Sequence, residues 1–182
     1  KHVLLFGGSV EAANGSRSSQ RELVMLSLVG EHPAVLRSPD PFEESANARV
    51  RPSARDYASA TLLANGTYVL CGGVSGSPME VLGDAWITPV AFGGGWMRMQ
   101  RGDEACRVTA GAINEGKTLA ALPARFGHTL HAHRSLEVCL AVGGFNDRFQ
   151  ASAETFRIFV QANDKCRAGF EFVVSRGPPL PR

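Results

Sequence analysis

The stretch Arg125-Phe126-Gly127-His128-Thr129-Leu130-His131-Ala132-His133-Arg134-Ser135-Leu136-Glu137-Val138-Cys139-Leu140-Ala141-Val142-Gly143-Gly144-Phe145 decides how this chain folds. It reads as two short strands, Gly127 to Ala132 and Leu136 to Val142, joined by a polar turn near His133-Arg134-Ser135. Apolar and β-branched runs bounded by turn residues are the signal of a hairpin. Gly143-Gly144 closes the second run, where glycine relieves a tight bend or lets a second backbone approach.

The same pattern occurs upstream. Arg55 leads Asp56-Tyr57-Ala58-Ser59-Ala60-Thr61-Leu62-Leu63, a two-residue turn is expected at Asn65-Gly66, and Thr67 to Cys71 runs into Gly72-Gly73. Gly72 to Gly143 is 71 residues and Arg55 to Arg125 is 70, so the two hairpin turns differ by one residue. A third copy, truncated, opens the chain as Lys1-His2-Val3-Leu4-Leu5-Phe6 followed by Gly7-Gly8. Recurrence at near-fixed spacing outranks any local reading. The chain is built of repeats.

Each copy continues with an acidic-aromatic strand and a further apolar one. These are Gly83-Asp84-Ala85-Trp86-Ile87 then Gly95 to Met99, and Ala153-Glu154-Thr155-Phe156-Arg157-Ile158 then Gly169 to Val173. In the first copy they are Arg21 to Leu26, in a strand running on to Val29, then Ala34 to Leu36. An arginine-led strand, a strand ending in Gly-Gly, an acidic-aromatic strand and a tryptophan strand together resemble the kelch repeat. The resemblance covers nearly the whole chain and departs from the pattern in two ways. The tyrosine usual after the third strand is missing, and Phe170 replaces the tryptophan seen at Trp96. It implies an all-β fold of about three kelch-type propeller blades, each a four-stranded antiparallel sheet, in an incomplete ring. Residues 1–54 would hold a partial blade and a connection, 55–124 a blade with an inserted loop, and 125–182 a blade and the start of the next. Val108–Ile113, within that insertion, could add a strand. Repeats spaced beyond the ~50 residues of a kelch unit require such insertions.

Leu180-Pro181-Arg182 nearly repeats Leu122-Pro123-Ala124-Arg125, so a fourth unit is expected to follow. Closed propellers have ~4–8 blades, and three leave open apolar edges. The remaining blades of a larger propeller, or a second copy pairing three blades with three, would cover them.

Composition narrows the function classes. A net charge of +2 is too small to argue for nucleic acid or a membrane surface, and no apolar run is long enough for a spanning helix. Cys71 and Cys139 fall in apolar strands as buried thiols, favouring a reducing, intracellular (cytoplasmic) setting. Cys106 and Cys166, in loops, could pair.

Four residues are candidate binding groups: Arg55, Arg125, Arg182 and His128. In kelch proteins that bind acidic peptides, arginines at the matching position line the mouth of the channel, so the resemblance implies a rim of guanidinium forks for carboxylates. The competing reading is that these arginines hold blades together. His131 and His133 alternate and could share a face, but no carboxylate or thiol stands at ligand spacing. Their counterparts in the preceding unit, and that of His128, are Thr61, Leu63 and Ala58, so no metal is expected. Gly93-Gly94-Gly95 lacks the lysine and helix of a phosphate loop. Asn14-Gly15-Ser16 and Asn65-Gly66-Thr67 are formal glycosylation sequons. Trp86, Trp96, Phe156, Phe170 and Phe172 read as core aromatics.

No catalytic constellation or cofactor fingerprint emerges, so the leading expectation is a protein-interaction scaffold without chemistry or cofactor of its own. Alternatives come from resemblance. Arg125-Phe126-Gly127-His128-Thr129 is similar to the kelch half of the methyltransferase-linked, tRNA-modifying enzymes of the wybutosine pathway, and sugar-isomerising or oxidising propellers use channel-facing arginines and histidines.

Overall fold

The computed structural model describes residues 2–28, 34–37, 51–89, 96–99, 118–119, 122–162 and 170–177. All regular structure among them is β. Three antiparallel sheets form the blades. The first has three strands, His2–Phe6, Leu23–Ser27 and Ala34–Arg37. The second has four: Ser59–Leu62, Thr67–Cys71, Ala85–Pro89 and Met97–Arg98. The third has Thr129–Ala132, Val138–Val142, Thr155–Ala162 and Phe170–Arg176, with Thr118–Leu119 added outside as a fifth. The second and third sheets thus hold the four antiparallel strands expected of a blade, the third with one more, and the first is three-stranded. The extra strand pairs Thr118 with Ser175 and Leu119 with Val174, so the insertion after the second blade extends the third. Val108–Ile113 lies outside the described residues.

The hairpins differ by one residue in their turns, as the spacing predicts. The first closes between Leu63 and Thr67 and the other between His133 and Val138. The first is not a two-residue Asn-Gly turn. Its loop is Ala64-Asn65-Gly66, with Gly66 left-handed at φ 80° and Asn65 Oδ1 accepting the Thr67 N–H at 2.9 Å. This is the three-residue solution, a turn followed by a left-handed glycine.

Period-two alternation sends each strand's side chains to two neighbours. Val69 and Cys71 join Leu130, Cys139, Ala141, Phe156 and Ile158 in the core between the second and third blades. Tyr68, Leu70 and Trp86 face the other way, onto Leu4, Phe6 and Leu23 of the first. Trp96 closes that seam, 5.2 Å from Phe6 and 6.1 Å from Tyr68 between ring centroids. Trp86 and Phe156 are buried as expected of core aromatics. The side chains of Phe170 and Phe172 lie outside the described residues. Cys71 and Cys139 are free and buried. The innermost strands, Ser59–Leu62 and Thr129–Ala132, pack side by side. On the first blade Val3 and Leu5, which alternate with the seam residues, are exposed.

Candidate functional site

The glycine pairs form one backbone clasp, repeated. Gly7, Gly72 and Gly143 each donate to the carbonyl of an acidic residue in the same blade: Glu22, Asp84 and Glu154. The second glycine of a pair reaches the next blade's arginine, Gly8 N–H to Arg55 O and Gly73 N–H to Arg125 O. Those arginines donate their own N–H back, to Gln20 O and Leu82 O. Gly72 is left-handed at φ 57°, and a Cβ there would collide with the carbonyl oxygen of Arg125.

The arginine side chains turn inward. Arg55 has no exposed surface, and its five N–H donors make five hydrogen bonds. Nε donates to Ser53 O, Nη1 to Gly72 O and Asp84 Oδ1, and Nη2 to Ser53 Oγ and Asp84 Oδ2. The Trp86 indole N–H also donates to Asp84 Oδ2, at 2.6 Å. Burial raises the Asp84 pKa, but the hydrogen bonds and charge of Arg55 outweigh it and hold the carboxyl below its usual value.

Arg125 is buried too, with a looser partner. Nη1 donates to Gly143 O at 3.0 Å and Nε to Pro123 O, while Glu154 stands 3.6 Å from Nη2 and is shared with Arg176 at 3.0 Å. The guanidinium lies 4.2 Å over the Phe156 ring, which stands where Trp86 stands one blade before. Burial lowers the Arg125 pKa against the pull of Glu154.

The expected rim of forks is therefore corrected for both arginines. They point into the blades, and Arg55 has no donor left for a ligand carboxylate. Arg182 lies outside the described residues, as do Gly93–Gly95, Cys106 and Cys166. His128 is also buried, beside Gly72, and neither ring nitrogen has a partner among the described residues. Burial, then the charge of Arg125, lowers its pKa to about 4. His131 and His133 are exposed, and Ser135 N–H points at His133 Nδ1 from 3.3 Å. Among the described residues no group of three or more metal-ligating side chains converges.

Sequence reasoning missed the residues that do face solvent. Beyond the first two glycine pairs a short two-stranded excursion leaves the blade, Ser9–Glu11 with Arg17–Ser19 and Val74–Ser75 with Glu80–Val81. Beyond the third, Phe145 bridges to Ala151 while Phe145–Asn146 pairs with the lead-in Arg125–Phe126. The clasp places all three at the same end of the blades. There Phe126 stacks on its cross-strand partner Phe145 at 5.4 Å, meets Phe149 edge-on at 5.5 Å, and lies 6.4 Å from Tyr57 of the preceding blade. Tyr57 is 60% exposed, Phe149 51% and Phe145 42%. Val10 and Met79 are exposed in the equivalent excursions.

Two of these aromatics sit in left-handed backbone, Tyr57 at φ 54° and Phe149 at φ 59°. Tyr57 occupies a position that the next blade gives to glycine, and Phe149 closes a turn of the kind that the first blade closes with glycine. Tyr57 follows Arg55 by two residues, as Gly127 (φ 61°) follows Arg125. Phe149 N–H donates to Asn146 O three residues back, as Gly15 (φ 78°) donates to Ala12 O. For Tyr57 the repeat alignment itself carried this signal, a large ring where the neighbouring copy has glycine. The loop under Phe149 is fixed by Asn146, whose Oδ1 accepts the N–H groups of Arg148 at 2.9 Å and Gln150 at 3.0 Å.

Solved structures share this backbone. A chain in the cryo-EM structure of RAG in complex with one melted RSS and one unmelted RSS aligns with a TM-score of 0.62 at 14% identity. The alignment covers 97% of this chain and 47% of that one. YjhT aligns with a TM-score of 0.54, also at 14% identity, over 96% of this chain and 42% of its own. The fold is β-propeller-like. This chain spans less than half the length of either neighbour, and at that identity the likeness is one of fold alone. No family model and no curated protein sequence matches the chain.

Proposed function

We propose that this chain belongs to a kelch-type propeller that serves as an intracellular protein-interaction scaffold, with the aromatic end of the blades as its binding face. The observation that carries the proposal is the pair Tyr57 and Phe149. A non-glycine residue in left-handed backbone costs about 1 kcal/mol or more, and such strain clusters where binding needs it. Here it holds two half-exposed rings against Phe126, outside the buried core. Contiguous exposed apolar groups mark interaction sites, and aromatic anchors on rigid loops are what interface hot spots use. The kelch assignment is supported by the arginine and glycine-pair clasp recurring in register. Further blades, or a second copy, would cover Val3 and Leu5.

A phage-displayed peptide library selected on the immobilised chain tests the binding face. Clones whose binding disappears on a Tyr57→Ser/Phe149→Ser variant with an unchanged melting temperature would support it. Clones indifferent to that variant, or no selectable clone, would count against it.

A further inference from the structure

The charges around the aromatic cluster say which kind of partner it fits. Among the described residues, the three excursions, residues 8–20, 73–82 and 144–152, and the short lead-in at 56–58 lie at this end of the blades. They carry four carboxylates, Glu11, Asp56, Glu80 and Asp147, against two guanidiniums, Arg17 and Arg148. These excursions are thus acidic in a chain of net charge +2, with Arg21, Glu22 and Arg51 flanking them and Glu154 paired with Arg176 beneath. The arginines expected to make this end basic, Arg55 and Arg125, are turned inside. Glu11, Glu80 and Asp147 are exposed. Asp56, next to Tyr57, spends one carboxylate oxygen on the Ser19 hydroxyl at 3.0 Å and leaves the other without a partner among the described residues.

Aromatic faces and carboxylates share one preference. A ring face attracts a cation within about 6 Å of its centroid, and a carboxylate pairs with the same group, in bidentate fashion if it is a guanidinium. From this juxtaposition we infer that the face takes a basic peptide segment. An arginine or lysine of the partner would lie against Tyr57, Phe145 or Phe149, its charge directed at Asp147 or Glu80, with an apolar neighbour on the remaining ring surface. The inference rests on the proposed binding face and reverses the acidic partner that the arginine positions suggest. The rigid Asn146 loop presents Phe149 ready-formed, so little ordering is needed on this side of the contact.

The same peptide selection decides the matter when the clones are sequenced and rebound to charge variants. Selected peptides should be enriched in arginine and lysine over the unselected library. Asp147→Lys/Glu80→Lys should weaken them about tenfold or more, and binding should fall as salt rises from 0.05 to 0.5 M, taken as roughly the range over which screening sets in. Clones enriched in Asp and Glu, or bound more tightly by the charge-reversed variant, would overturn the inference. So would clones without charge bias that still need Tyr57 and Phe149, an outcome that leaves the binding face standing. Clones that ignore the two aromatics would remove both.

Discussion

Asp84 closes a two-pronged ion pair on Arg55, its carboxylate oxygens 2.6 and 2.9 Å from Nη1 and Nη2, around a guanidinium with no exposed surface. One blade on, Glu154 stands 3.6 Å from the equivalent Arg125 and is 41% exposed. The clasp is the same and its electrostatic closure is not.

That difference predicts unequal costs. Asp84→Asn leaves a buried guanidinium without its counter-charge, which costs roughly 3–5 kcal/mol. Glu154→Gln loosens a solvent-screened pair and should cost about 1 kcal/mol or less. Denaturant unfolding of the two variants checks the order. Equal losses would contradict it.

The sign of the acid response at Asp84 follows from its lowered pKa. The pair stabilises the fold fully above the unfolded-state carboxylate value. That contribution is lost as pH falls through the lower folded-state value. Asp84→Asn should therefore be less stable at neutral pH, with the deficit shrinking only below the ordinary carboxylate range.

His128 titrates in the opposite sense to a paired histidine. Its folded-state pKa of about 4 lies below the ordinary 6.5, so protons favour the unfolded chain between those values. Stability should fall as pH drops from 6.5 towards 4, by roughly 1.4 kcal/mol per pH unit at most. The first repeat hairpin has Ala58 here, so His128→Ala should fold and lose that slope. Melting temperatures at pH 7.5 and 5 compare the two proteins. An unchanged slope in the variant would place the acid sensitivity elsewhere.

Gly72→Ala should be among the most damaging single-methyl changes. The added carbon meets the Arg125 carbonyl, and φ of 57° strains any side chain. A loss of about 3 kcal/mol or more is expected. Gly8→Ala, with left-handed φ but open space around the new carbon, should cost roughly 1 kcal/mol.

The strands and the glycine pairs were legible because they are set by local chemistry: apolar alternation, turn residues and recurrence. The fate of the arginines was not. Whether a guanidinium faces a channel or folds back depends on Asp84, 29 residues away, and on Ser53, which lies in front of the repeat pattern. The extra strand at Thr118–Leu119 was missed for a similar reason, since two residues carry no period of their own. Tyr57 was visible in principle. Aligning the copies on their arginines sets Tyr57 against Gly127, a local conflict of the kind expected at functional sites.

The measurement that tests the central claim most directly pairs melting with peptide binding on Tyr57→Gly and Phe149→Gly. Tyr57→Gly restores the glycine that the next blade has at that position, and Phe149→Gly gives its turn the left-handed glycine found in the Ala12–Gly15 turn. Relief of strain and loss of ring contacts should nearly cancel, leaving stability within about 1 kcal/mol of the parent. Affinity for selected peptides should drop about tenfold or more. If both variants instead lose stability while keeping full affinity, these rings serve the fold, and the aromatic end is not the binding face.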